Sequence, residues 1–357
     1  MPLPRRLESR RPIARRLSPS AALAAVLLAA VAPAEGGHRC PGEGCPYLRP
    51  QDEVLIVSVR RLGCTTDTSR FRSEMRAERY LGTGASASRG WQGISIDEAI
   101  ASIEPSMPTV VFVHGNRVEP IEVRPRSVWV YRKLVDRRND PRPIRFLAFS
   151  WPSDEISGVL RDVNVKAART KPAAFQLAWV LDQTPTGTPL GMMGYSFGAR
   201  IISGATHLLA GGSLGRLALP GVEPRAHRPI RGVYVAPAFD ADWLGRGRYH
   251  GRSLQQVDNL LIATNRRDPA MRYFGLINRD RHPKAMGFEG PTCLSRGDSQ
   301  RVRLLNMSKA VGRTHDMCEY LMVSGLMSNA WRRLSFADRP ASVAASAAAG
   351  AKGTPPR

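Results

Sequence analysis

Residues 194–198 (GYSFG) place a serine between two glycines, in the pattern G-x-S-x-G. This pattern is typical of a nucleophilic serine on a sharp turn between a strand and a helix. Such a turn needs residues without a Cβ close to the serine, which gives Gly194 and Gly198 a physical role. Ser196 is therefore our candidate nucleophile for acyl transfer.

A second segment, residues 211–215 (GGSLG), matches the same pattern. The apolar run 190–193 precedes Ser196, and apolar residues at helical spacing follow it, whereas Ser213 follows a predicted helix and has no strand before it. We therefore interpret the segment around Ser213 as a loop whose match to the pattern is a chance result of the glycine- and serine-rich composition. The match at Ser196 we interpret as the site of the nucleophile.

A serine hydroxyl needs a base to take its proton, and the base needs an acid to hold its tautomer. On a parallel-sheet scaffold, the expected chain order is serine, then Asp or Glu, then histidine. Asp268 follows the apolar run 260–264, and His315 follows the run 302–306 after a glycine-containing loop. We expect Ser196, Asp268 and His315 to act together.

Other acids compete with Asp268. Asp240 and Asp242 follow the apolar run 232–236, and either remains an alternative. Asp316 is adjacent to His315, and because adjacent side chains diverge, we expect it to cap the following helix instead.

The other histidines fit other roles. His207 falls within the helix after the nucleophile, while His227, His250 and His282 fall in basic loops with proline or glycine nearby, where we expect solvated side chains. His114 lies at a strand end before the nucleophile, and we interpret it as a hydrogen-bonded structural histidine.

An oxyanion hole needs two backbone N–H groups aimed at the developing alkoxide. One comes from the residue after the serine, and the other from a turn after an earlier strand. The apolar run 110–113 leads into such a turn at residues 114–116 (HGN). We expect the amides of Phe197 and Asn116 to form the hole.

Short β-branched apolar runs recur along the chain and alternate with helical patterns. The predicted strands are 54–59, 110–113, 144–150, 190–193, 232–236, 260–264 and 302–306, and the predicted helices include 128–135, 173–181 and 197–209. Runs that are apolar throughout are typical of strands covered on both faces. The alternation predicts an α/β fold with a mainly parallel central sheet and helices on both faces.

With these residues in place, the chain resembles the α/β-hydrolase superfamily. More narrowly, it resembles a bacterial group, uncharacterised in substrate, that carries an H-G-[FN] turn followed by F-S-W-P-S, here residues 114–116 and 149–153. Residues 57–60 (VSVR), 236–242 (APAFDAD) and 265–268 (NRRD) strengthen the resemblance, which spans 52–335. Ala238 departs from it, because an acidic residue is common at that position.

The resemblance implies acyl transfer by Ser196, Asp268 and His315, with no cofactor. The pair Trp151 and Pro152 would either line the site or pack the end of a strand. Segments 211–229, 241–258 and 278–301 are long enough to form a lid or a substrate wall. No metal site is expected, since no second pair of cysteines or histidines stands at ligand spacing.

The N-terminal residues of the chain predict export. Residues 1–34 combine an arginine-rich start, an apolar stretch at 21–32 and a small-residue cleavage site at 32–34, as a signal peptide does. The apolar stretch is shorter than the roughly 20 residues of a membrane-spanning helix. We expect a periplasmic or extracellular protein with a flexible segment at 35–51, a hydrolase domain at 52–335 and a disordered tail at 336–357.

The 5 cysteines fit an oxidising compartment, which allows disulfides. Cys40 and Cys45 could close a small loop, and Cys293 and Cys318 are the other plausible couple.

Lysine and arginine number 52 against 30 aspartates and glutamates, which gives a formal net charge of +22. Such a field attracts anionic membranes or polymers. We do not expect nucleic acid as a partner, because no basic motif with interleaved aromatics and no zinc-finger spacing is present.

The sequence thus predicts an exported serine esterase for a small-molecule or lipid ester. The alternatives are an interfacial lipase or phospholipase, and a non-catalytic scaffold that binds an anionic envelope polymer.

Overall fold

The computed structural model describes residues 48–81, 90–136, 140–221, 227–277 and 282–337. The predicted signal peptide, Cys40, Cys45 and residues 338–357 of the predicted tail lie outside the described residues.

A nine-stranded sheet with the order β3-β2-β1-β5-β4-β6-β7-β8-β9 forms the centre of the described chain. Its strands are β1 (Glu53–Ser58), β2 (Arg76–Leu81), β3 (Gly90–Ile94), β4 (Thr109–Val113), β5 (Arg145–Ser150), β6 (Leu190–Tyr195), β7 (Ile230–Val235), β8 (Val257–Thr264) and β9 (Val302–Asn306). In the part of the sheet with the order β1-β5-β4-β6-β7-β8-β9, all neighbouring strands pair in parallel. Strand β2 pairs antiparallel with both β1 and β3. The predicted, mainly parallel sheet is confirmed.

The predicted runs became β1 and β4 to β9, but β2 and β3 were not predicted. Their sequences, RAERYL and GWQGI, contain no continuous apolar run. Because they form an antiparallel edge with partly exposed faces, they do not need one.

Helices cover both faces of the sheet. They are α1 (Phe71–Glu74), α2 (Ile96–Ser102), α3 (Pro120–Val135), α4 (Val159–Asp182), α5 (Phe197–Leu209), α6 (Ser253–Gln256), α7 (Pro269–Arg272), α8 (Met286–Glu289), α9 (Arg296–Arg301), α10 (Ser308–Val311), α11 (Met317–Met322) and α12 (Ser324–Leu334). Helix α12 packs on α3, β6 and β7, while α4 packs on α5, which contacts β4 and β6. Strands β5 and β6 are buried along their whole length, as expected between two helical layers.

This arrangement of strands, crossovers and helical layers is the α/β-hydrolase fold. Among the described helices, none is long and apolar enough to cross a membrane.

The packed body extends slightly beyond residues 52–335. Leu48 and Arg49 are buried, and the Arg49 guanidinium lies 2.7 Å from the Asp52 carboxylate. At the other end, Phe336 is buried, and the Arg231 guanidinium lies 4.5 Å from the centre of its ring.

The predicted couple of Cys293 and Cys318 is wrong. Cys293 is an exposed free thiol, as is Cys64, whereas Cys318 is disulfide-bonded. Closeness along the chain does not determine pairing, because a disulfide needs its two Cα atoms within about 7 Å of each other.

The turn between β6 and α5 depends on very close backbone contacts. A Cβ on Gly198 would lie 2.0 Å from the carbonyl oxygen of Val113, at the end of β4. A Cβ on Gly194 would lie 2.5 Å from the backbone of Ala199. Only glycine allows helix α5 to begin this close to the two strands.

We expect Gly198→Ala to lower the free energy of unfolding by about 3 kcal/mol, because the added methyl group forces the helix and strand apart. Urea unfolding followed by circular dichroism measures this change.

Gly325→Ala is the matched control, since a Cβ there meets no atom within 4 Å. It also lies on a helix, α12, where alanine is the better helix former. Equal destabilisation by both variants would contradict the steric explanation.

Candidate active site

Ser196 has a strained backbone at the junction of β6 and α5. Its φ of 52° and ψ of −118° lie in a region that non-glycine residues rarely adopt. The Ser196 amide donates to the carbonyl oxygen of Val235 at 2.9 Å, which ties the turn to β7. The residue as a whole is only 5% exposed.

The three predicted residues Ser196, His315 and Asp268 are hydrogen-bonded in series. His315 Nε2 lies 3.0 Å from Ser196 Oγ, and His315 Nδ1 lies 2.7 Å from Asp268 Oδ2. Because a carboxylate only accepts hydrogen bonds, Nδ1 carries the proton and Nε2 is free to accept from the serine.

Asp268 is fully buried and is held by two further donors. The Tyr320 hydroxyl donates to Oδ2 at 2.9 Å, and the Met271 amide donates to Oδ1 at 3.2 Å, which makes Asp268 the N-cap of α7. Burial and the neighbouring Asp268 charge raise the pKa of Tyr320, so the phenol stays protonated and remains a donor.

The competing acids lie elsewhere. Within the described chain neither Asp240 nor Asp242 is bonded to His315, and the Asp242 carboxylate instead lies 3.6 Å from Arg248. Asp316 accepts from the Cys318 amide and caps α11, as predicted.

Tyr195 supports His315 from the other side. Its hydroxyl donates to the His315 carbonyl oxygen at 2.8 Å, and the two rings are stacked with their centres 5.2 Å apart. Burial raises the pKa of Tyr195 well above its usual value, which keeps this donor protonated. The backbone and ring of His315 are therefore both fixed.

The turn at residues 114–116 lies beside the serine. A Cβ on Gly115 would lie 2.8 Å from Tyr195 Cδ1 and 3.3 Å from Ser196 Cβ, so a side chain there would force its neighbours to shift. Phe197 is the first residue of α5, and its amide has no acceptor within the helix. The amides of Phe197 and Asn116 thus come from the two segments that flank Ser196.

A buried carboxylate, Asp162 on α4, fastens this turn. Asp162 accepts from the Asn116 side chain at 2.8 Å, from Arg117 Nε at 3.0 Å and from the Lys166 ammonium at 2.8 Å. Asp162 and Lys166 are both fully buried, and Lys166 also donates to the Asp154 carbonyl oxygen. Asp162 therefore holds two consecutive residues of the turn.

Residues of the segments 57–60 (VSVR) and 149–153 (FSWPS) meet around the same turn. Arg60 donates to Ser150 Oγ at 2.8 Å, to the Asp154 carboxylate at 2.7 Å and to the Val118 carbonyl oxygen at 2.6 Å. Ser153 Oγ also donates to that carbonyl oxygen, at 3.1 Å. These bonds connect the ends of β1 and β5 to the segment after the turn.

Trp151 packs the strand end and does not line the site. It is fully buried, its indole N–H donates to the His114 carbonyl oxygen at 2.9 Å, and its ring is stacked on the His114 ring. His114 Nδ1 in turn bonds the Gly115 carbonyl oxygen at 2.9 Å. Burial and the nearby Arg60 lower the pKa of His114 to about 3, so this histidine is neutral.

The expectation of a solvated His250 is wrong. His250 is buried, its Nδ1 lies 2.9 Å from Ser203 Oγ, and aromatic rings surround it. Its glycine- and arginine-rich neighbours conceal this burial in the sequence. His227 and His282 are exposed, as expected.

Ser213 lies in an exposed loop after α5, as expected of the second G-x-S-x-G match.

The segments expected to form a lid or wall converge on one cavity of about 1080 Å³. Its lining includes residues from 211–215, from 240–252 and from 283–292. Ser196 and His315 are not among the described residues that line it. The cavity is nonetheless close to the turn between β6 and α5. Ala238, two residues before the lining residue Asp240, donates its amide to the Ser196 carbonyl oxygen at 3.3 Å.

Sequence reasoning missed Tyr320, Tyr195 and Asp162 as supports of the site. The available signals were Tyr320, five residues after His315, and Lys166, four residues after Asp162. A spacing of four brings Asp162 and Lys166 together on a helix. Neither signal identifies the distant residue that the side chain contacts.

Comparisons with known proteins give only remote likenesses. No family model matches the chain, and no curated protein matches it. Among solved structures, an inhibited esterase B from Lactobacillus rhamnosis is similar with a TM-score of 0.33 and 9% identity, over 86% of this chain and 91% of that chain. An acetyl xylan esterase is similar with a TM-score of 0.32 and 13% identity, over 65% of this chain and 97% of that chain. Likenesses this low support no statement about activity.

We expect Tyr320→Phe to lower the free energy of unfolding by about 1.5–3 kcal/mol, because the buried Asp268 carboxylate loses a hydrogen-bond donor. Chemical denaturation measures the loss. Tyr249→Phe is the control, since Tyr249 is 41% exposed, and we expect a change within about 0.5 kcal/mol. An unchanged stability in Tyr320→Phe would contradict the assigned contact.

We expect Asp162→Asn to lower the free energy of unfolding by about 3–5 kcal/mol, because it leaves the Lys166 charge buried without a counter-charge. Asp97→Asn is the control, because Asp97 pairs with Arg72 at the surface, where an ion pair contributes about 1 kcal/mol or less. Denaturant unfolding of both variants compares the two pairs.

The loss of stability in Asp162→Asn should depend on pH. Burial raises the pKa of Asp162, but hydrogen bonds from Lys166, Arg117 and Asn116 outweigh it, and the net pKa is lowered. A lowered folded-state pKa gives stability that is complete above the unfolded value of about 4 and is lost as the pH falls below it. The difference between the wild type and Asp162→Asn should therefore be constant at neutral pH and shrink in acid; a difference that grows in acid would contradict this sign.

Proposed function

We propose that this protein is an exported serine hydrolase that cleaves carboxylic esters through an acyl-enzyme. One observation carries the proposal: the hydrogen-bonded series of Ser196, His315 and a buried Asp268, which begins at a strained turn after a parallel strand. This is the combination of nucleophile, base and orienting acid that acyl transfer requires.

In the proposed acylation step, Ser196 Oγ attacks the ester carbonyl carbon while His315 Nε2 takes the hydroxyl proton. Asp268 stabilises the imidazolium that forms and keeps its Nδ1 proton in place. His315 then gives the proton to the departing alcohol oxygen. Water attacks the acyl-enzyme by the same route and releases the acid, which restores Ser196.

The developing negative charge on the carbonyl oxygen would be stabilised by the amides of Phe197 and Asn116. Amides held in place before the reaction stabilise that charge without reorganisation. The bonds from Asp162 to Asn116 and Arg117 support this role, because they fix the turn that carries one of the donors.

We also propose that the protein acts outside the cytoplasm. The signal-like residues 1–34 support export, and so does the disulfide at Cys318, because disulfides persist in oxidising compartments. N-terminal sequencing of the mature protein should begin shortly after Ala34; an intact N-terminus on the exported protein would contradict cleavage there.

We expect a fluorophosphonate probe to label the wild type covalently, because the activated serine attacks the phosphorus atom. Ser196→Ala should abolish labelling, and a gel-based fluorescence readout measures it. The removal of one activated nucleophile lowers turnover by a factor of about 10⁶.

Ser213→Ala is the matched control, since Ser213 occupies the second G-x-S-x-G match and lies in an exposed loop. It should be labelled as strongly as the wild type. A folded wild type that remains unlabelled would overturn the enzymatic proposal and favour the non-catalytic scaffold.

A further inference from the structure

Arg200 is a cation one helical turn from the nucleophile. It lies on α5 four residues after Ser196, and its side chain is partly exposed. The guanidinium carbon lies 5.9 Å from the centre of the Phe197 ring and 4.6 Å from the centre of the Trp243 ring. Arg200 therefore stands between the residue after the nucleophile and the wall of the large cavity.

Aromatic rings form the wall that Arg200 contacts. Trp243 and Tyr249 both line the cavity, and their ring centres are 4.6 Å apart. A guanidinium over an aromatic face keeps the N–H donors at its edge available to a ligand. The aromatic wall therefore holds the guanidinium in position without using its N–H donors.

The other cations around the cavity have partners of their own. Arg248 lies 3.6 Å from Asp242, and Lys284 lies 3.0 Å from Glu289. Arg252 donates to the Gly211 carbonyl oxygen at 2.7 Å.

Arg200 differs from these cations. In the part of the chain that the structure describes, no carboxylate lies within 4.0 Å of it. Asp240 favours its charge through space only. Burial lowers the pKa of Arg200 to about 10, so it stays charged at neutral pH while having lost much of its hydration.

We propose that Arg200 binds a carboxylate carried by the substrate, so that the protein prefers esters with a second, anionic group. This inference rests on the proposed hydrolase function. A partly desolvated guanidinium gains strongly from a carboxylate, which matches its planar set of donors. The position one turn from Ser196 would place such a carboxylate a few bonds from the reacting carbonyl, against the aromatic wall.

The test compares anionic esters with neutral esters of similar size. For a charge on the acyl side, the pair is 4-nitrophenyl hemiglutarate and 4-nitrophenyl valerate. For a charge on the alcohol side, the pair is 4-acetoxybenzoate and 4-methylphenyl acetate. Steady-state kcat and KM are measured for the wild type, Arg200→Met and Arg200→Lys.

We expect Arg200→Met to lower kcat/KM for the anionic member of one pair by about tenfold or more, mainly through KM, since a hydrogen-bonded charge pair is lost. The neutral member should change by less than about twofold. Arg200→Lys should fall between the two, because it keeps the charge but not the planar donors.

Arg72→Met is the matched control. Arg72 also lies over a tryptophan, with its guanidinium carbon 5.4 Å from the centre of the Trp179 ring, but it is paired with Asp97. The control should leave both pairs of esters unchanged.

The inference is overturned if Arg200→Met changes the anionic and neutral members of both pairs by the same factor. Labelling by a neutral fluorophosphonate separates the two proposals. Equal labelling of the wild type and Arg200→Met, without any charge preference, counts against the role of Arg200 alone. Absence of labelling in the wild type overturns the hydrolase function and this inference with it.

Discussion

Helix α5 begins so close to the ends of β4 and β6 that a side chain does not fit between them, and the site depends on this close contact. Gly198 faces the Val113 carbonyl oxygen with no space for a side chain, and Gly194 faces the backbone of Ala199 in the same way. The chain can turn this sharply only if Ser196 adopts its positive φ. The turn at 114–116 lies beside this residue, with Gly115 next to Ser196.

Two buried aspartates stabilise the parts that meet at this contact. Asp268 orients His315 and receives donors from Tyr320 and the backbone, while Asp162 ties the turn at 114–116 to helix α4. A buried carboxylate is costly unless it is hydrogen-bonded, and each of these two has several donors. The scaffold thus fixes His315 and the turn at 114–116 independently of each other.

Much of the fold and the core of the site could be predicted because they follow from local patterns. Apolar runs identify the buried parallel strands, and Ser196 and Asp268, which follow two of these runs within a few residues, lie at the carboxyl edge of the sheet. His315 needed the chain order as well, since a loop and α10 separate it from β9.

What could not be predicted depends on contacts between distant residues. Strands β2 and β3 lack an apolar run because their faces are only partly buried. The bonds of Tyr320 to Asp268 and of Asp162 to Asn116 join residues that are 52 and 46 positions apart. His250 is buried among aromatic rings although its neighbours in sequence are polar, and the state of Cys293 depends on which cysteine the fold brings to Cys318.

The most direct test of the central claim is a crystal structure of the protein after inactivation by a fluorophosphonate. We expect phosphorus bonded to Ser196 Oγ, with one phosphonyl oxygen about 2.7–3.1 Å from the amides of both Phe197 and Asn116. His315 should remain bonded to Asp268. Phosphorus on another residue, or a phosphonyl oxygen that points away from both amides, would contradict the claim.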